Sequence, residues 1–212
     1  MHVRVAPPPE QILAELSSIL PHLQHSLEAG TAKAHLIWQQ HYEGEEMDPW
    51  LYSNITRHGA KKELALAGVF ADYDTDQLPF SGLSLHTPRP SENGMLHIRI
   101  WKHGGADWSE LPPPGTSGAR LDFFSQEGLA TDGISSDGDW NLILLWHLNS
   151  NGLLDSLSLA CPQGGNSYRA QYYWHVPVPP AITMVPPAAQ DAPAPDLNLV
   201  LNTPNVSEEP EE

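Results

Sequence analysis

The hydrophobic pattern of this chain changes its period once, near residue 81, and this change constrains the fold more than any other feature. Up to about residue 70, apolar residues recur every three or four positions, which is the spacing of one face of an α-helix. From about Ser81 they alternate with polar residues in short segments bounded by turn residues, which is typical of β-strands. The pattern predicts an α+β fold, with N-terminal helices packed on a mainly antiparallel sheet of five or six strands.

Proline, glycine and capping residues divide the N-terminal part into three predicted helices. Pro21 lies inside the first apolar pattern and should kink that helix or break it in two, because proline lacks a backbone donor and clashes with the preceding turn. Gly30 is predicted to end the same helix. Asp48 and Pro49 are favoured at an N-cap and a first helical position, so they predict the start of the third helix. The predicted spans are Glu10 to Ala29, about Ala32 to Tyr42 and about Trp50 to Ala67.

Six strands are predicted from the alternating segments. The best-defined pairing is the hairpin across Asn149 to Gly152, because Asn and Gly tolerate the positive φ angles of a tight connection. The segment from His103 to Gly118 contains three consecutive prolines and is too long for a simple hairpin loop, which is typical of a functional or disordered loop. The predicted strands lie near Gly82 to Thr87, Met95 to Lys102, Arg120 to Phe124, Asn141 to Leu148, Leu153 to Ala160 and Tyr168 to Val176.

The composition changes again after residue 176. Residues 177–212 contain nine prolines and six acidic residues but no basic or aromatic residue. Such a segment cannot bury enough apolar surface to offset the entropy of ordering it, so we expect a disordered, Pro-rich acidic tail. The predicted organisation is therefore a single domain, with a helical part at 1–70 and a sheet part at 71–176, followed by the tail at 177–212.

The charge balance argues against several classes of partner. The chain has 26 acidic and 10 basic residues and a formal net charge of -16. Binding to nucleic acid or to an anionic membrane draws on Lys and Arg, so neither partner is expected. No segment resembles a membrane-spanning helix or a secretory signal, and the single cysteine, Cys161, cannot form an internal disulfide. We therefore expect a cytoplasmic protein, and its oligomeric state is left open.

Alternation along three predicted strands places a set of polar and aromatic side chains on one face of the sheet. Arginine, histidine, tryptophan and tyrosine together are favoured at recognition sites, so this face is a candidate site for a small anionic ligand or an acidic peptide. The alternative is the ordinary solvent-exposed face of a two-layer sheet, where these residue types are common. The candidate ligand-binding residues are His97, Arg99, Trp101, His147, Arg169, Tyr173 and His175.

The residue spacing does not support metal or cofactor chemistry. Eleven histidines are present, but none occurs in a His-Glu-x-x-His arrangement or in another spacing typical of metal ligands. Only His97, His147 and His175 are predicted to converge, because they share one face of the sheet. Motifs of nucleophilic hydrolases and Gly-rich phosphate loops are also missing. We therefore predict no metal site, no cofactor and no catalytic residue, and a noncatalytic function is favoured over an enzyme.

Two features favour a protein partner. The tail contains one apolar segment, which could add a strand to a partner's sheet edge, place leucines in a groove, or dock on the sheet edge of its own chain. The acidic charge attracts basic surfaces over long range. We predict a noncatalytic interaction module, such as an inhibitor, an immunity or antitoxin-like protein or an adaptor, that engages a basic protein partner through its acidic surface and tail. The alternative is a small-ligand-binding protein or an enzyme that uses the His/Arg/Trp/Tyr face. The candidate partner-binding residues are Asp196, Leu197, Leu199 and Leu201.

Overall fold

The structure, a computed structural model, describes residues 5–66, 83–90, 92–103, 111–126 and 138–180. These residues form four helices and five strands with their connections. In chain order they are α1 (Pro9–Glu15), α2 (Leu20–His41), α3 (Pro49–Leu66), β1 (Leu83–Pro88), β2 (Met95–Lys102), α4 (Gly118–Phe124), β3 (Trp140–Leu148), β4 (Leu154–Asn166) and β5 (Arg169–Pro177). The predicted α+β class is confirmed. The division at residue 70 and the disorder of 181–212 stay predictions, because 67–82 and 181–212 lie outside the described ranges. At the predicted start of the tail, Pro177 belongs to β5 and Val178 is buried in the core.

The predicted break near Pro21 is confirmed. α1 and α2 are separate helices, and Pro21 lies in the first turn of α2, where its missing N–H would have had no partner within the helix. The predicted stop at Gly30 is wrong, because α2 continues through it to His41. A side chain at Gly30 would collide with the Thr56 carbonyl of α3. This glycine therefore allows two helices to pack closely instead of ending one of them.

The predicted start of α3 is also confirmed. Pro49 is its first residue. Asp48 Oδ1 accepts hydrogen bonds from the backbone amides of Trp50, at 2.8 Å, and Leu51, at 3.2 Å. These bonds satisfy amides that have no carbonyl partner within the helix.

The five strands form one sheet in the order β1-β2-β3-β4-β5. The pairs β1/β2, β3/β4 and β4/β5 are antiparallel, and β2/β3 is parallel. The predicted hairpin between β3 and β4 is confirmed: Gly152 has a φ of 78°, and the Asn149 amide donates to the Leu153 carbonyl. The sheet is therefore mixed, although antiparallel pairing dominates as predicted.

The predicted strand at Arg120 to Phe124 is wrong, because these residues belong to helix α4. Parallel strands cannot be joined by a tight hairpin and need a crossover connection, and α4 lies in the connection from β2 to β3. The helix also buries the consecutive residues Phe123 and Phe124. Successive side chains of a strand point to opposite faces. Periodicity failed here because seven residues are too few to separate the two periods.

The sheet has an apolar core on each face. The larger core lies between the sheet and helices α1, α2 and α3, and we call this side of the sheet the helix-packed face. The strand residues of this core include Ile98, Ile100, Leu144, Trp146 and Leu159. The smaller core lies on the opposite side, the second face, and consists of Trp101, Phe123, Phe124, Ile143 and Leu145. Helix α4 therefore covers part of the face that carries the predicted site. None of the helices that the structure describes has the length and apolar character needed to cross a membrane.

Candidate functional site

Most of the candidate ligand-binding residues lie on the second face of the sheet. Residues 97, 99 and 101 alternate along β2 with the residues of the larger core, and residue 147 is on β3. On β5, residue 175 pairs with Ala160, which in turn pairs with Ile143 of the smaller core. The alternative of a solvent-exposed face is wrong for three of these residues, Arg99, Trp101 and His147, because they are buried. The five residues on this face are His97, Arg99, Trp101, His147 and His175.

Arg99 is a buried cation without a counterion in the described part of the chain. Its side chain lies under α4, and the residue is 5% exposed. The guanidinium carbon is 4.1 Å from the centre of the Phe123 ring. Among the described residues, no carboxylate forms an ion pair with Arg99 and no acceptor forms a hydrogen bond with its side chain. Burial, followed by the positive charge of Arg120, lowers the pKa of Arg99 to about 10, so it stays charged at neutral pH in surroundings that disfavour charge.

Arg89 is buried to a similar degree but is fully compensated. It is 3% exposed. Its guanidinium donates to both carboxylate oxygens of Glu15, at 3.0 and 3.2 Å, and to the Gly138 carbonyl, at 3.1 Å, and it also forms an ion pair with Glu92. Burial acts to lower the pKa of Arg89, but the two carboxylates raise it above its usual value. The comparison distinguishes Arg89, a structural cation, from Arg99, whose charge no described residue balances.

Arg120 adds positive charge near Arg99, and its charge also reaches Arg57. Arg120, on α4, lies over the Trp101 ring with its guanidinium carbon 5.3 Å from the ring centre. After the larger effect of burial, its charge lowers the pKa of both Arg99 and Arg57. Arg57 donates to Asn54 Oδ1 at 2.9 Å, and within the described ranges neither Arg57 nor Arg120 forms an ion pair. The whole chain has only ten basic residues, so Arg99 and Arg120 at one junction are a concentration of positive charge among the described residues.

A pair of histidines joins β1 and β2 on the second face. Nδ1 of His86 and Nδ1 of His97 are 2.6 Å apart, so one ring donates a hydrogen bond and the other accepts it. Burial, and then the charge of His86, lower the pKa of His97 to about 4, against an opposing effect of Asp139. His97 is therefore neutral at pH 7, when it can form hydrogen bonds but cannot act as a cation.

A second group of histidines lies beyond the opposite end of β2. The rings of His103 and His147 are 4.4 Å apart between centres, and His147 Nε2 is 3.2 Å from Ser158 Oγ. Burial, and then the charges of His103 and His175, lower the pKa of His147 to about 4, and burial likewise lowers that of His175. Ser158 is fully buried. The contact between Ser158 and His147 therefore does not present a nucleophile to a substrate.

The predicted convergence of His97, His147 and His175 is only partial. The three lie on one face, but His97 pairs with His86, whereas His147 and His175 interact with His103. Within the described residues, no group of three or more His, Cys, Asp or Glu side chains has an arrangement that could hold a metal ion.

Tyr173 lies on the helix-packed face, which corrects the predicted alternation of β5. The β4/β5 register shifts next to this residue, and such an irregularity changes which side chains of a strand point to each face. The Tyr173 ring lies 5.9 Å from the Trp140 ring, against the larger core, whereas Tyr172 packs on the smaller core. Tyr173 and Arg99 therefore cannot line one cavity.

Arg169 is exposed at the first position of β5, and no described residue forms an ion pair with it.

Arg120 and Phe123 were not predicted as site residues, because their segment was assigned to a strand. The available signal was the pair of consecutive phenylalanines, which does not fit the alternation of a half-exposed strand.

Gln126 is a further residue that positions the site. Its side-chain amide bonds to the amide and carbonyl of Asn141, at 2.8 and 3.0 Å, and donates to the Pro162 carbonyl at 2.7 Å. These bonds tie the segment after α4 to β3 and β4.

The remaining predicted residues lie outside this face. The tail residues Asp196, Leu197, Leu199 and Leu201 are outside the described ranges, so their role stays a prediction. An apolar cavity of about 200 Å³ lies beside α1 and α2, and no residue of the second face lines it.

Comparison of the chain with protein-family models, with curated proteins and with solved structures finds no match.

Proposed function

We propose that this protein binds a small anionic ligand on the second face of its sheet, with Arg99 as the principal anchor. The main support for the proposal is the buried Arg99 guanidinium, which lies over the Phe123 ring and has no counterion among the described residues. Removing a cation from water costs free energy unless an anion or hydrogen-bond acceptors compensate it. Arg89 has that compensation within the chain, and an external anion would supply it at Arg99.

The surroundings of Arg99 favour an anion with paired oxygen acceptors. A guanidinium that stacks on an aromatic ring still directs its N–H groups within its own plane, where carboxylate or phosphate oxygens bind two at a time. The aromatic side chains of the smaller core exclude water, and a low local dielectric strengthens charge-assisted hydrogen bonds. Binding is favoured over catalysis, because the Ser158–His147 contact is buried and burial lowers the pKa of His97 to about 4, well below the range in which a general base is effective at neutral pH.

Isothermal titration calorimetry with acetate, methyl sulfate and methyl phosphate tests this proposal, with the full chain at fixed ionic strength slightly above pH 7. We expect at least one of these anions to bind the natural chain but not Arg99→Gln. Arg99→Lys keeps the charge but loses the paired donors, so it should bind about tenfold more weakly. This second variant keeps the test valid if Arg99→Gln does not fold.

Lys62→Gln is the matched control, because it removes one exposed cation of α3, outside the candidate site, and causes the same change in net charge. Its binding should equal that of the natural chain. Identical titrations of the natural chain and a folded Arg99→Gln, or a natural chain that binds none of the three anions, would overturn the proposal.

We propose, as a second candidate, a noncatalytic interaction module that engages a basic protein partner. The loop between α2 and α3 supports this candidate. Its carboxylates are exposed and form no ion pair with a described residue, and beside them Trp50 is 73% exposed. Carboxylates and aromatic rings together attract Lys and Arg side chains through charge and through cation–π contacts. The acidic residues are Glu43, Glu45, Glu46 and Asp48.

A fluorescent oligolysine peptide tests the second candidate by anisotropy. We expect Trp50→Ser and the joint replacement of Glu45 and Glu46 by Gln to weaken peptide binding, and added salt to weaken it further. Glu10→Gln, which removes an exposed carboxylate outside the loop, should leave it unchanged. Deletion of residues 181–212, which leaves Pro177 of β5 and the buried Val178 in place, measures the predicted contribution of the tail. Binding that none of these changes reduces contradicts this candidate.

A further inference from the structure

The geometry points to a doubly charged oxyanion of the phosphate monoester class, held between Arg99 and Arg120, as the ligand of the second face. This inference rests on the proposed anion-binding function, because it names the ligand class of the same site. It also gives the two arginines different roles.

Reciprocal stacking between β2 and α4 places the two guanidinium groups. Arg99 of β2 lies over Phe123 of α4, at 4.1 Å, and Arg120 of α4 lies over Trp101 of β2, at 5.3 Å. Each cation therefore lies over a ring from the other element, and the packing of α4 against the sheet brings both to one junction. Each guanidinium carbon lies over its ring, and the N–H groups of a guanidinium are directed within its own plane.

Two cations at one junction repel each other, and no described carboxylate forms an ion pair with either of them. A monoanion can neutralise one of these charges, whereas a dianion can neutralise both and accept paired hydrogen bonds from each guanidinium. A phosphate monoester carries three strong acceptor oxygens and, slightly above pH 7, nearly two negative charges. Its charge and its number of acceptors match two planar donors.

Burial distinguishes the roles of the two arginines. Arg99 is 5% exposed and has no compensating partner in the described part of the chain, so any bound anion must first satisfy it. Arg120 is exposed on α4 and is hydrated before a ligand arrives. We therefore assign the binding of the first negative charge to Arg99 and the preference for a second negative charge to Arg120.

Methyl phosphate and methyl sulfate separate these roles, because they have the same tetrahedral shape but differ by one charge slightly above pH 7. Isothermal titration calorimetry of the natural full chain should give an affinity for methyl phosphate about tenfold higher than for methyl sulfate. Arg120→Gln should reduce this ratio to near one by weakening methyl phosphate alone. Arg120→Lys should keep part of the preference, and the control Lys62→Gln should keep all of it.

The outcomes distinguish this inference from the function on which it rests. If neither anion binds, or if a folded Arg99→Gln binds both like the natural chain, the proposed function fails and the inference fails with it. If both anions bind with equal affinity and Arg120→Gln changes neither, Arg99 remains an anion site and the two-arginine bridge is overturned. A preference for methyl phosphate that Arg120→Gln abolishes supports the inference.

Discussion

Gly30 lies at the contact between α2 and α3, where it faces Gly59. A Cβ atom at Gly59 would lie 3.1 Å from the Gly30 Cα, and one at Gly30 would lie 3.1 Å from the Ala60 amide nitrogen and collide with the Thr56 carbonyl. The atoms that would be displaced belong to the backbone, which cannot rotate away as a side chain can. At this residue, the absence of a side chain sets the distance between two helices.

Gly30→Ala should lower the free energy of unfolding by about 1–3 kcal/mol, because the added methyl group overpacks the helix contact. This loss exceeds the gain from the higher helix propensity of alanine. Gly118→Ala is the matched control: a Cβ atom there would have nothing within 4 Å, so the change should be neutral or stabilising. Urea unfolding followed by circular dichroism measures both variants. Equal effects at the two positions would contradict the packing role of Gly30.

The described helices differ in how the backbone amides of their first turns are satisfied, and α3 is the one with a side-chain cap. Asp48 caps it through two backbone amides, whereas α1, α2 and α4 have no side-chain cap hydrogen bond. These three helices depend on packing, since their apolar residues contribute to the two cores. The position of α4, and with it that of Arg120, therefore depends on Phe123, Phe124 and the Gln126 bonds.

Asp48→Ala should destabilise the protein by about 1 kcal/mol, because the first turn of α3 loses its hydrogen-bond acceptor. Asp48→Asn removes the same charge but keeps a side-chain oxygen, so it should cost much less. Thermal and urea unfolding of the two variants separate the cap from the charge. If Asn is as destabilising as Ala, the interaction of the carboxylate with the helix dipole accounts for the effect, and the cap bond does not.

The whole molecule combines a strongly acidic composition with a sheet face that collects cations and imidazoles. The formal charge is -16, but Arg99 and Arg120 lie together at the α4 junction, and Arg57 interacts with Arg120. Burial opposes the protonation of His97, His147 and His175 on this face and lowers the pKa of each. The folded state therefore binds fewer protons in mild acid than the unfolded chain does.

Stability should fall as the pH decreases from about 6.5 toward 4. Unfolded histidine has a pKa of about 6.5, whereas burial lowers the pKa of His97 and His147 to about 4 in the folded protein. The contribution of these neutral histidines is complete above the unfolded pKa and is lost progressively through this window, because the unfolded state takes up the protons. Urea unfolding at about pH 7 and about pH 5 measures the loss.

Variants isolate the histidine contribution from that of the carboxylates. His147→Asn should reduce the difference in unfolding free energy between the two pH values, because it removes one of the groups that titrate only on unfolding. His41→Asn, at the exposed end of α2, should leave the difference unchanged. An unfolding free energy that does not depend on pH across this window, or equal effects of the two variants, would count against the packed neutral histidines.

Elements whose signals lie within a few residues could be predicted. Four features depend only on local backbone conformations and hydrogen bonds. They are the alternation of β2, the Asn-Gly hairpin after β3, the Asp48 cap and the break near Pro21. The same reasoning placed His97, Arg99 and Trp101 on one face, because alternation is a local property of a strand. It failed at Gly30 and Tyr173, where a helix neighbour and a register shift decide the outcome.

The amino-acid sequence by itself determined the α+β class, the order of most elements and which side chains of β2 share a face, because periodicity, capping and turn chemistry act over short distances. Only the tertiary structure decided that β2 and β3 are parallel, that their connection contains a helix, and that this helix covers the second face. The physical reason is that the environment of Arg99 depends on Phe123 and Arg120, which approach it only through the packing of α4 against the sheet. The burial and compensation of a charge are properties of that packing, and they turn an ordinary strand arginine into a candidate anion site.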